Sequence, residues 1–573
     1  MLHFSGCDRI PLAWGKGGDP ATCEVEEILS WLIQPLGPSL VLGAGMLTLL
    51  LWRLSPWYRW GSLWAFLAHL GALGTLIALS SSSRAIITIG RPWTSVLFDQ
   101  EGGLIWQVNA WTWMGGLIIG LLALVVTLLA WDEDGRSATS YRAADLALTA
   151  VALMVVFSAN LLTLASMWVL MESVALARLI REPTYKPESG RAGLSAASAL
   201  LMALACALSG PALLEAPLAN AGFSPLVQGL LSVALALRAA VYPFHGWLLH
   251  SRLSSATERL SIYLIPAVTS LWLLGQVNSM MGITWMGEPQ WLALLVVSLF
   301  GSAIAAWAEP DQDRSWDLVY ANRAGVIFLA MSLWPGQGAL PIAGWSLAFT
   351  LGVSMLFVAQ LVNQTWGGRW PGALAVLTLI GYPATTGFIG QAWTARLAPP
   401  TGYAFFWIIT VVADALLLAT LLRGWQQAST PLTTRMSGRE ARLLATTVLL
   451  TVPILFIGLQ PGIALRLMGL SAPPPGLFPF ILHMPSVVWA RLLAVSAIAL
   501  WLHYSWEPTI IQWQELRKVV ASIARLDWIY GLAQMGTHAL RVFWQAVLRT
   551  VEGEGYLGWV MLTLLLFWIL TRS

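Results

Sequence analysis

Apolar segments of about 20 residues follow one another along most of this chain, and this is the length at which an α-helix crosses the hydrocarbon core of a bilayer. Of the 573 residues, 57% are hydrophobic and 10% are charged. Soluble globular domains carry charges on about a quarter of their residues. The sequence therefore predicts an all-α polytopic membrane protein embedded in a lipid bilayer, and it excludes a soluble globular fold.

The candidate spans number about sixteen. Arg and Lys fall mainly in the loops after odd-numbered spans, with about sixteen there against about three after the even-numbered spans up to the twelfth. Because positively charged loops stay in the cytoplasm, we expect the N-terminus outside, in a bacterial inner membrane. The predicted spans are 31–52, 60–80, 111–131, 145–158, 161–180, 196–214, 225–247, 260–280, 290–308, 317–334, 340–364, 371–395, 402–422, 442–465, 485–503 and 555–571.

Changes in charge and hydropathy divide the chain into six regions. Residues 504–554 mix Arg, Lys and Trp with aliphatic residues at helical spacing, which predicts an amphipathic helix on the membrane or along a partner. The regions are an extracytoplasmic segment (1–30), N-terminal membrane helices (31–140), an inverted-repeat core (141–425), C-terminal membrane helices (426–503), the amphipathic connecting helix (504–554) and a final membrane helix (555–573).

The seventh predicted span carries both a permanent charge and a helix breaker. Arg238 lies in an apolar run, and Pro243 follows before the span is complete. Proline removes a backbone donor and frees carbonyls inside the hydrocarbon, so the break predicts a lined cavity. An Arg beside such a cavity is a candidate functional residue. The alternative is that Arg238 only holds neighbouring helices together.

The twelfth predicted span contains a similar break. Tyr382 and Pro383 repeat the Tyr242-Pro243 pair of the seventh span. An odd number of crossings separates equivalent helices, so the two breaks are expected in inverted halves, as in transporters with discontinuous helices.

Five segments resemble the antiporter-like membrane subunits of respiratory complex I, a fold shared by Mrp-type sodium/proton antiporters and membrane-bound hydrogenases. The resemblance runs from about residue 100 to the C-terminus, and its most specific part is the seventh-span motif. It implies a core of about fourteen helices in two inverted halves, each with a broken helix, around a polar axis at mid-membrane. The segments are 160–174 around Glu172, 238–248, 317–320, 381–390 and 551–559.

The resemblance also implies that a Glu on the fifth span pairs with a Lys on the seventh, and that further Lys and His residues carry protons. This sequence keeps Glu172 but has Arg238 at the Lys position. Its three Lys, at positions 16, 186 and 518, all lie outside the predicted spans. Uncharged residues stand at the other family positions, namely Leu264 for a His, Phe349 and Val353 for a His and a Lys, and Gln391 for a Lys.

Replacing Lys by Arg changes the chemistry that this position can perform. A guanidinium has a pKa above about 12 and stays protonated in proteins. Arg238 can therefore hold Glu172 and order water, but it is a poor proton carrier. His245, beside Pro243, titrates near neutral pH and is a candidate relay. The alternative is a helix-end His bonded to a freed carbonyl.

Two more charges lie within predicted spans of the second half. Asp414 is in the middle of the thirteenth span, and Arg323 is one turn inside the tenth. An isolated carboxylate in lipid has to be neutral or paired, so we expect these residues to form a second fixed pair. The alternative is that the Arg323 side chain reaches the membrane surface.

The sequence has no phosphate-binding loop, dinucleotide fingerprint, nucleophile elbow or metal-ligand spacing, so we expect no cofactor and no metal. Without a basic stripe, we expect no nucleic acid partner. Expected partners are protons or sodium and other membrane subunits. Three functions remain open: a membrane subunit translocating protons or other cations in a complex I-like NADH:quinone oxidoreductase or related energy-converting complex, a conduction-deficient structural subunit, or the membrane component of proton-coupled inorganic carbon uptake.

Overall fold

The computed structural model places most of the described chain in helices. The final predicted membrane helix (555–573) and the N-terminal segment (1–30) lie outside the described residues, apart from Met561 and Thr563. The described residues are 34–79, 86–90, 103–132, 135–180, 191–210, 218, 222–249, 256–281, 289–333, 340–394, 404–426, 438–470, 476–482, 484–506, 514–526, 528–531, 535, 542, 545, 561 and 563.

The first part of the chain forms packed helices and one β-hairpin. Helix α1 packs along α4, and α6 packs along α7. The elements are α1 (Gly37–Trp52), a 3-10 turn (Pro56–Trp60), α2 (Gly61–Leu79), β1 (Ile86–Gly90), β2 (Gly103–Gln107), α3 (Ala110–Leu129), α4 (Arg136–Val156), α5 (Leu161–Ile180), α6 (Arg191–Leu208), α7 (Pro225–Arg238), α8 (Gly246–Leu249), α9 (Ala256–Glu258), a π-helical turn (Arg259–Leu264) and α10 (Ile265–Met281).

In the second part of the chain, α11 packs against α12, and α13 packs against α14. Its elements are α11 (Pro289–Ala308), α12 (Gln312–Leu333), α13 (Leu340–Trp366), α14 (Trp370–Ile380), α15 (Gly387–Thr394), α16 (Ala404–Gln426), α17 (Gly438–Leu459), α18 (Pro461–Leu467), α19 (Leu477–Leu482), α20 (Ser486–Trp501), a second π-helical turn (Leu502–Trp506) and α21 (Gln514–Ala524).

Within the described residues, ten helices are long and apolar enough to cross a membrane, and four further apolar helices are shorter. Two of the short helices, Pro225–Arg238 and Trp370–Ile380, are the first segments of the two broken spans. The all-α membrane class and the broken helices are therefore confirmed. The number of helices in the core and the domain boundaries stay predictions.

The β-hairpin was not expected from the sequence. Strands β1 and β2 are antiparallel, and Ile89 of β1 is paired with Leu104 of β2. The second strand also covers the tight turn between α4 and α5, where Asn160 Nδ2 donates to the Gly103 carbonyl at 2.9 Å. The turn exposes backbone groups that no helix satisfies, and the hairpin supplies their partners.

Helix α4 begins at Arg136, nine residues before the predicted span boundary at 145. The added turns contain Arg142, which is 5% exposed and donates to the Ala130 carbonyl at 3.0 Å. A hydropathy pattern ends the predicted helix at such a residue, because it cannot distinguish a buried, paired charge from a charge in a loop. The tally of Arg and Lys after odd-numbered predicted spans included three residues that are buried in the structure, namely Arg142, Arg178 and Arg259.

The amphipathic segment is not one continuous helix in its described part. Helix α21 ends at Ala524, and Leu526 has a left-handed backbone with φ of +60°. Helix α21 lies along α11 of the same chain. Arg517 Nε donates to the Ala308 carbonyl at 2.9 Å, and Arg525 forms an ion pair with Glu309 at 2.7 Å. Arg side chains thus bind the carbonyl end of α11, where the helix dipole favours cations.

Candidate functional site

The first broken helix places its charge at the end of α7. The α7 helix ends at Arg238, the chain turns through residues 239–245, and the peptide bond before Pro243 is cis. A carbonyl freed by the break finds a partner close by, since Trp247 Nε1 donates to the Leu237 carbonyl at 3.1 Å. The break therefore lies five residues before the proline that predicted it.

Glu172 and Arg238 meet inside the protein. Arg238 Nη1 is 3.3 Å from Glu172 Oε2, and the two residues are 3% and 2% exposed. The guanidinium has further partners, because Nη2 donates to the Ile262 carbonyl at 3.1 Å and Nη1 donates to Ser195 Oγ at 3.4 Å. The Arg238 side chain is held on several sides.

The carboxylate is held much more loosely than the guanidinium. Neither oxygen of Glu172 has a hydrogen-bond partner among the described residues, although Ser195 and Ser198 lie nearby. Buried polar atoms are nearly always hydrogen-bonded to protein or to ordered water. The geometry around Glu172 therefore leaves hydrogen bonds for water to make.

The π-helical turn at Arg259–Leu264 connects this pair to other charges. Ser261 Oγ donates to Asp145 Oδ1, which lies 3.4 Å from Arg178 Nε. At the start of the turn, Arg259 Nη2 lies 3.5 Å from Asp313 Oδ2, and its Nη1 lies 3.9 Å from Asp317 Oδ1. Short π-helical turns are frequent at functional sites, because they re-aim side chains and free backbone groups.

His245 is fully buried at the break. Its ring stacks on Tyr242 with centroids 4.7 Å apart, and its Nδ1 lies 3.2 Å from Tyr530 Oη. The Tyr530 hydroxyl also donates to the Pro243 carbonyl. The C-terminal segment packs so closely that a side chain at Gly246 would lie 2.4 Å from the Tyr530 ring. The relay role of His245 stays a prediction.

The second half contains a cluster of three charges. Asp414 Oδ1 lies 2.5 Å from Arg323 Nη2, and Asp414 Oδ2 lies 2.7 Å from Arg491 Nη2. Gln391 Nε2 donates to the same Oδ2 at 3.3 Å, and Arg491 Nη1 donates to Thr410 Oγ1 at 2.8 Å. Both carboxylate oxygens are therefore occupied by fixed donors, and the three charges sum to one positive.

This cluster also caps the second break. Helix α14 ends at Gly381, whose φ of +87° is left-handed. Arg323 Nη1 donates to the Leu379 carbonyl at 3.0 Å, and Gln391 Nε2 donates to the Ile380 carbonyl at 2.6 Å. The carbonyls freed before the Pro383 break are thus bound by the charge network itself.

Arg491 was not among the predicted site residues. It lies on α20, is 1% exposed, and is the one basic residue in the apolar segment 485–503 that precedes His503. A single Arg in such a span is the same signal that marked Arg238, and it would have identified this residue. Asp145 and Arg178 gave a weaker signal. Asp145 stands at the boundary of the predicted span 145–158, and Arg178 lies in the last turn of α5.

Apolar side chains occupy three of the positions where the resemblance implies His or Lys. Phe349, at a position where the resemblance implies His, packs edge-on against the Tyr320 ring with centroids 4.9 Å apart. Leu264 and Val353, at two other family positions, are buried in the apolar core. No group of three or more His, Cys, Asp or Glu side chains that could hold a metal occurs in the described part of the chain.

No protein-family model and no curated protein sequence matches the chain. The fold, in contrast, matches solved membrane complexes at 15–16% identity. A chain of the Mrp complex from Dietzia sp. DQ12-45-1b aligns with a TM-score of 0.71 over 95% of this chain, which spans 62% of the Mrp chain. The fold is that of the antiporter-like membrane subunits.

Two other complexes contain chains with the antiporter-like fold. A chain of the archaeal membrane-bound sulfane sulfur reductase has a TM-score of 0.67, covering 94% of this chain and 99% of its own length. A chain of respiratory complex I from Thermus thermophilus has a TM-score of 0.60 over 81% of this chain and 100% of its own. These neighbours are all subunits of multi-subunit membrane complexes.

Proposed function

We propose that this chain is a membrane subunit of an energy-converting complex, of the complex I-like NADH:quinone oxidoreductase type or a related type, and that it moves protons through its first half. The observation that carries the proposal is the Glu172–Arg238 pair, in which a buried carboxylate lies 3.3 Å from a fixed cation.

The ion is the proton in this proposal, and the reason is electrostatic. Arg238 lies 3.3 Å from the Glu172 carboxylate and repels a second cation such as Na⁺ from the same oxygens. A proton, in contrast, can bind Glu172 and leave it through water. The chain lies in a bacterial inner membrane with its N-terminus outside, and it works beside other membrane subunits.

The flux test uses the chain in its native membrane. In sealed inverted vesicles, we expect Glu172→Gln to abolish proton movement, because Gln keeps the shape and the contact with Arg238 but binds no proton. Glu440→Gln, a buried Glu at the start of α17, is the matched control and should leave flux unchanged. Unchanged flux in Glu172→Gln would contradict the proposal.

A structural subunit is the second candidate, and the Arg323–Asp414–Arg491 cluster favours it, because three fixed charges carry no proton. Affinity isolation of the tagged chain from gently solubilised membranes, followed by mass spectrometry, identifies the complex to which the chain belongs and so tests both candidates. Recovery with quinone- or iron-sulfur-bearing subunits supports a redox-driven complex. Recovery with one soluble partner would contradict it and favour inorganic carbon uptake.

A further inference from the structure

The C-terminal segment returns to the first broken helix and is anchored beside it. Arg517 Nη2 donates to the Glu309 carbonyl at 2.9 Å, and Arg525 Nη1 donates to Glu309 Oε2 at 2.7 Å. The Glu309 side chain is 1% exposed, so the ion pair with Arg525 is shielded from solvent. These contacts fix the end of α21 to the carbonyl end of α11.

A turn after α21 directs Tyr530 at the break. Leu526 has a left-handed backbone, which reverses the chain, and Tyr530 N then donates to the Leu526 carbonyl at 3.1 Å. Residues other than Gly keep such a conformation only where their surroundings hold it. The break supplies one of these constraints, because Tyr242 Oη donates to the Ala524 carbonyl at 2.8 Å.

The His245 ring lies between two tyrosines. Tyr242 stacks on it with centroids 4.7 Å apart, and the Tyr530 ring meets it edge-on at 5.9 Å. The Tyr530 hydroxyl donates to the Pro243 carbonyl and lies 3.2 Å from His245 Nδ1. His245 is fully buried, and only a residue without a side chain fits at Gly246 beneath the Tyr530 ring.

The Tyr530 contacts determine which nitrogen of His245 carries a proton. A tyrosine hydroxyl has a single proton, and a backbone carbonyl can only accept. The proton of Tyr530 therefore lies on the Pro243 side, and its oxygen accepts from His245. The Nδ1 atom must then be the N–H of the imidazole, and in the neutral ring Nε2 holds the lone pair.

We propose that Tyr530 is a positioning residue that keeps His245 in the Nδ1–H form, so that His245 binds and releases protons through Nε2 alone. This inference rests on the proposed function and adds His245 to it. A proton from water binds the Nε2 lone pair and gives the imidazolium. The same N–H bond breaks when the proton returns to water, and the neutral ring is restored.

The hydrogen bond to Tyr530 persists in both states, because Nδ1 keeps its proton in the neutral ring and in the imidazolium. The ring therefore does not have to turn between loading and release. No proton passes on through Tyr530, because its hydroxyl is bound to the Pro243 carbonyl, which is not a proton acceptor at neutral pH. The C-terminal segment thus closes one side of His245 and leaves the other side to exchange.

The proton position can be measured in the parent chain. Solid-state NMR of the chain in lipid, with ¹³C- and ¹⁵N-labelled histidine, distinguishes the two nitrogens, because only Nδ1 is bonded to Cγ. The chain has seven His, and the His245 signal is the one lost in His245→Gln or His245→Asn. We expect neutral His245 to carry its proton on Nδ1. A neutral ring protonated on Nε2 would overturn the proposal.

The decisive variant is Tyr530→Phe, which keeps the ring against Gly246 and removes only the hydroxyl. The proton of neutral His245 is then no longer confined to Nδ1, so the share of the Nε2–H form should rise. We expect proton flux in inverted vesicles to fall about tenfold with the amount of assembled chain unchanged. A hydroxyl with a merely structural role would change the yield of the chain and not the proton position.

The control is Tyr504→Phe, at a tyrosine that is 70% exposed on the second π-helical turn. It should keep both the Nδ1–H form of His245 and full flux. An unchanged proton position in Tyr530→Phe would contradict the role of the hydroxyl.

The two proposals fail in different ways. If Glu172→Gln retains flux, the proposed function fails, but the proton position on His245 is still read by NMR, which needs no flux. If Glu172→Gln loses flux while Tyr530→Phe keeps all of it, the chain still moves protons and the role of Tyr530 is wrong.

Discussion

Each half of this chain contains a broken membrane helix with buried charges beside it, but the charges are arranged differently in the two halves. In each half a membrane helix breaks near a buried Arg. Arg238 is the last residue before the first break, and Arg323 binds the Leu379 carbonyl just before the second. In the first half, Arg238 faces one carboxylate whose oxygens accept no hydrogen bond from the described residues. In the second, Asp414 is clamped between Arg323 and Arg491. One break keeps a group that can bind a proton, and the other is closed by fixed charges.

The difference follows from the chemistry of the groups. A carboxylate next to two guanidiniums is stabilised in its charged form by both, so it resists protonation more than a carboxylate with one. Both Asp414 oxygens also accept hydrogen bonds from Arg or Gln side chains, whereas Glu172 faces a single Arg. The second half is therefore expected to act as a rigid support for the first.

The largest expected effect concerns stability. Asp414→Asn removes the charge between two buried Arg side chains and leaves both uncompensated, which should cost about 3–5 kcal/mol. Glu172→Gln is the matched change in the first half. It leaves only one buried Arg without a counter-charge, so its cost in stability should be smaller. The yield of folded chain and the apparent Tm in detergent measure both variants.

Arg491→Leu sharpens this comparison, because it leaves the Arg323–Asp414 pair intact. It should cost less than Asp414→Asn. If Asp414→Asn and Glu172→Gln had equal apparent Tm values, the two clusters would be equivalent supports, and the contrast between the halves would be wrong.

The contrast was only partly predictable from the sequence. Runs of apolar residues and two Tyr-Pro pairs were sufficient for the spans and the broken helices, because lipid allows no other backbone arrangement. The Arg323–Asp414 contact followed from the rarity of charges in spans.

Helix adjacency was the part that the sequence could not supply. Asp414 and Arg491 are 77 residues apart, and a helical pattern reports which face is buried without reporting its neighbour. Asp145 and Arg178 were missed for another reason, since they stand at or near the boundaries of the predicted spans, where charges are common in loops.

A smaller effect is expected at the Arg238 position. Arg238→Lys keeps a cation beside Glu172, so flux near neutral pH should stay within about threefold of the parent chain. A desolvated ammonium can lose its proton, and the neutral amine no longer stabilises ionised Glu172. Flux should therefore fall as pH rises into the alkaline range, while the parent chain stays flat there.

A pH profile of flux in inverted vesicles measures this change. Arg59→Lys, on the exposed 3-10 turn Pro56–Trp60, is the control for a generic Arg-to-Lys effect, and it should leave the profile unaltered. If Arg238→Lys moved protons faster at every pH, the permanent charge would be a handicap and the fixed-cation account of the first half would be wrong.

The smallest effect is expected from restoring a titratable residue between the halves. Phe349→His places an imidazole next to Tyr320, at a family His position. A relay needs an acceptor on its far side, and the second half offers Asp414 already bound by two Arg side chains. We therefore expect unchanged flux and a stability cost of about 1–3 kcal/mol from burying a polar ring.

Phe349→Leu separates the two contributions, because it loses the ring without adding a polar group. Equal flux in the parent chain, Phe349→His and Phe349→Leu would agree with two halves that exchange no protons. Increased flux in Phe349→His alone would mean that protons pass between the halves once an imidazole is present, so that the barrier is the apolar ring and not the fixed charges around Asp414.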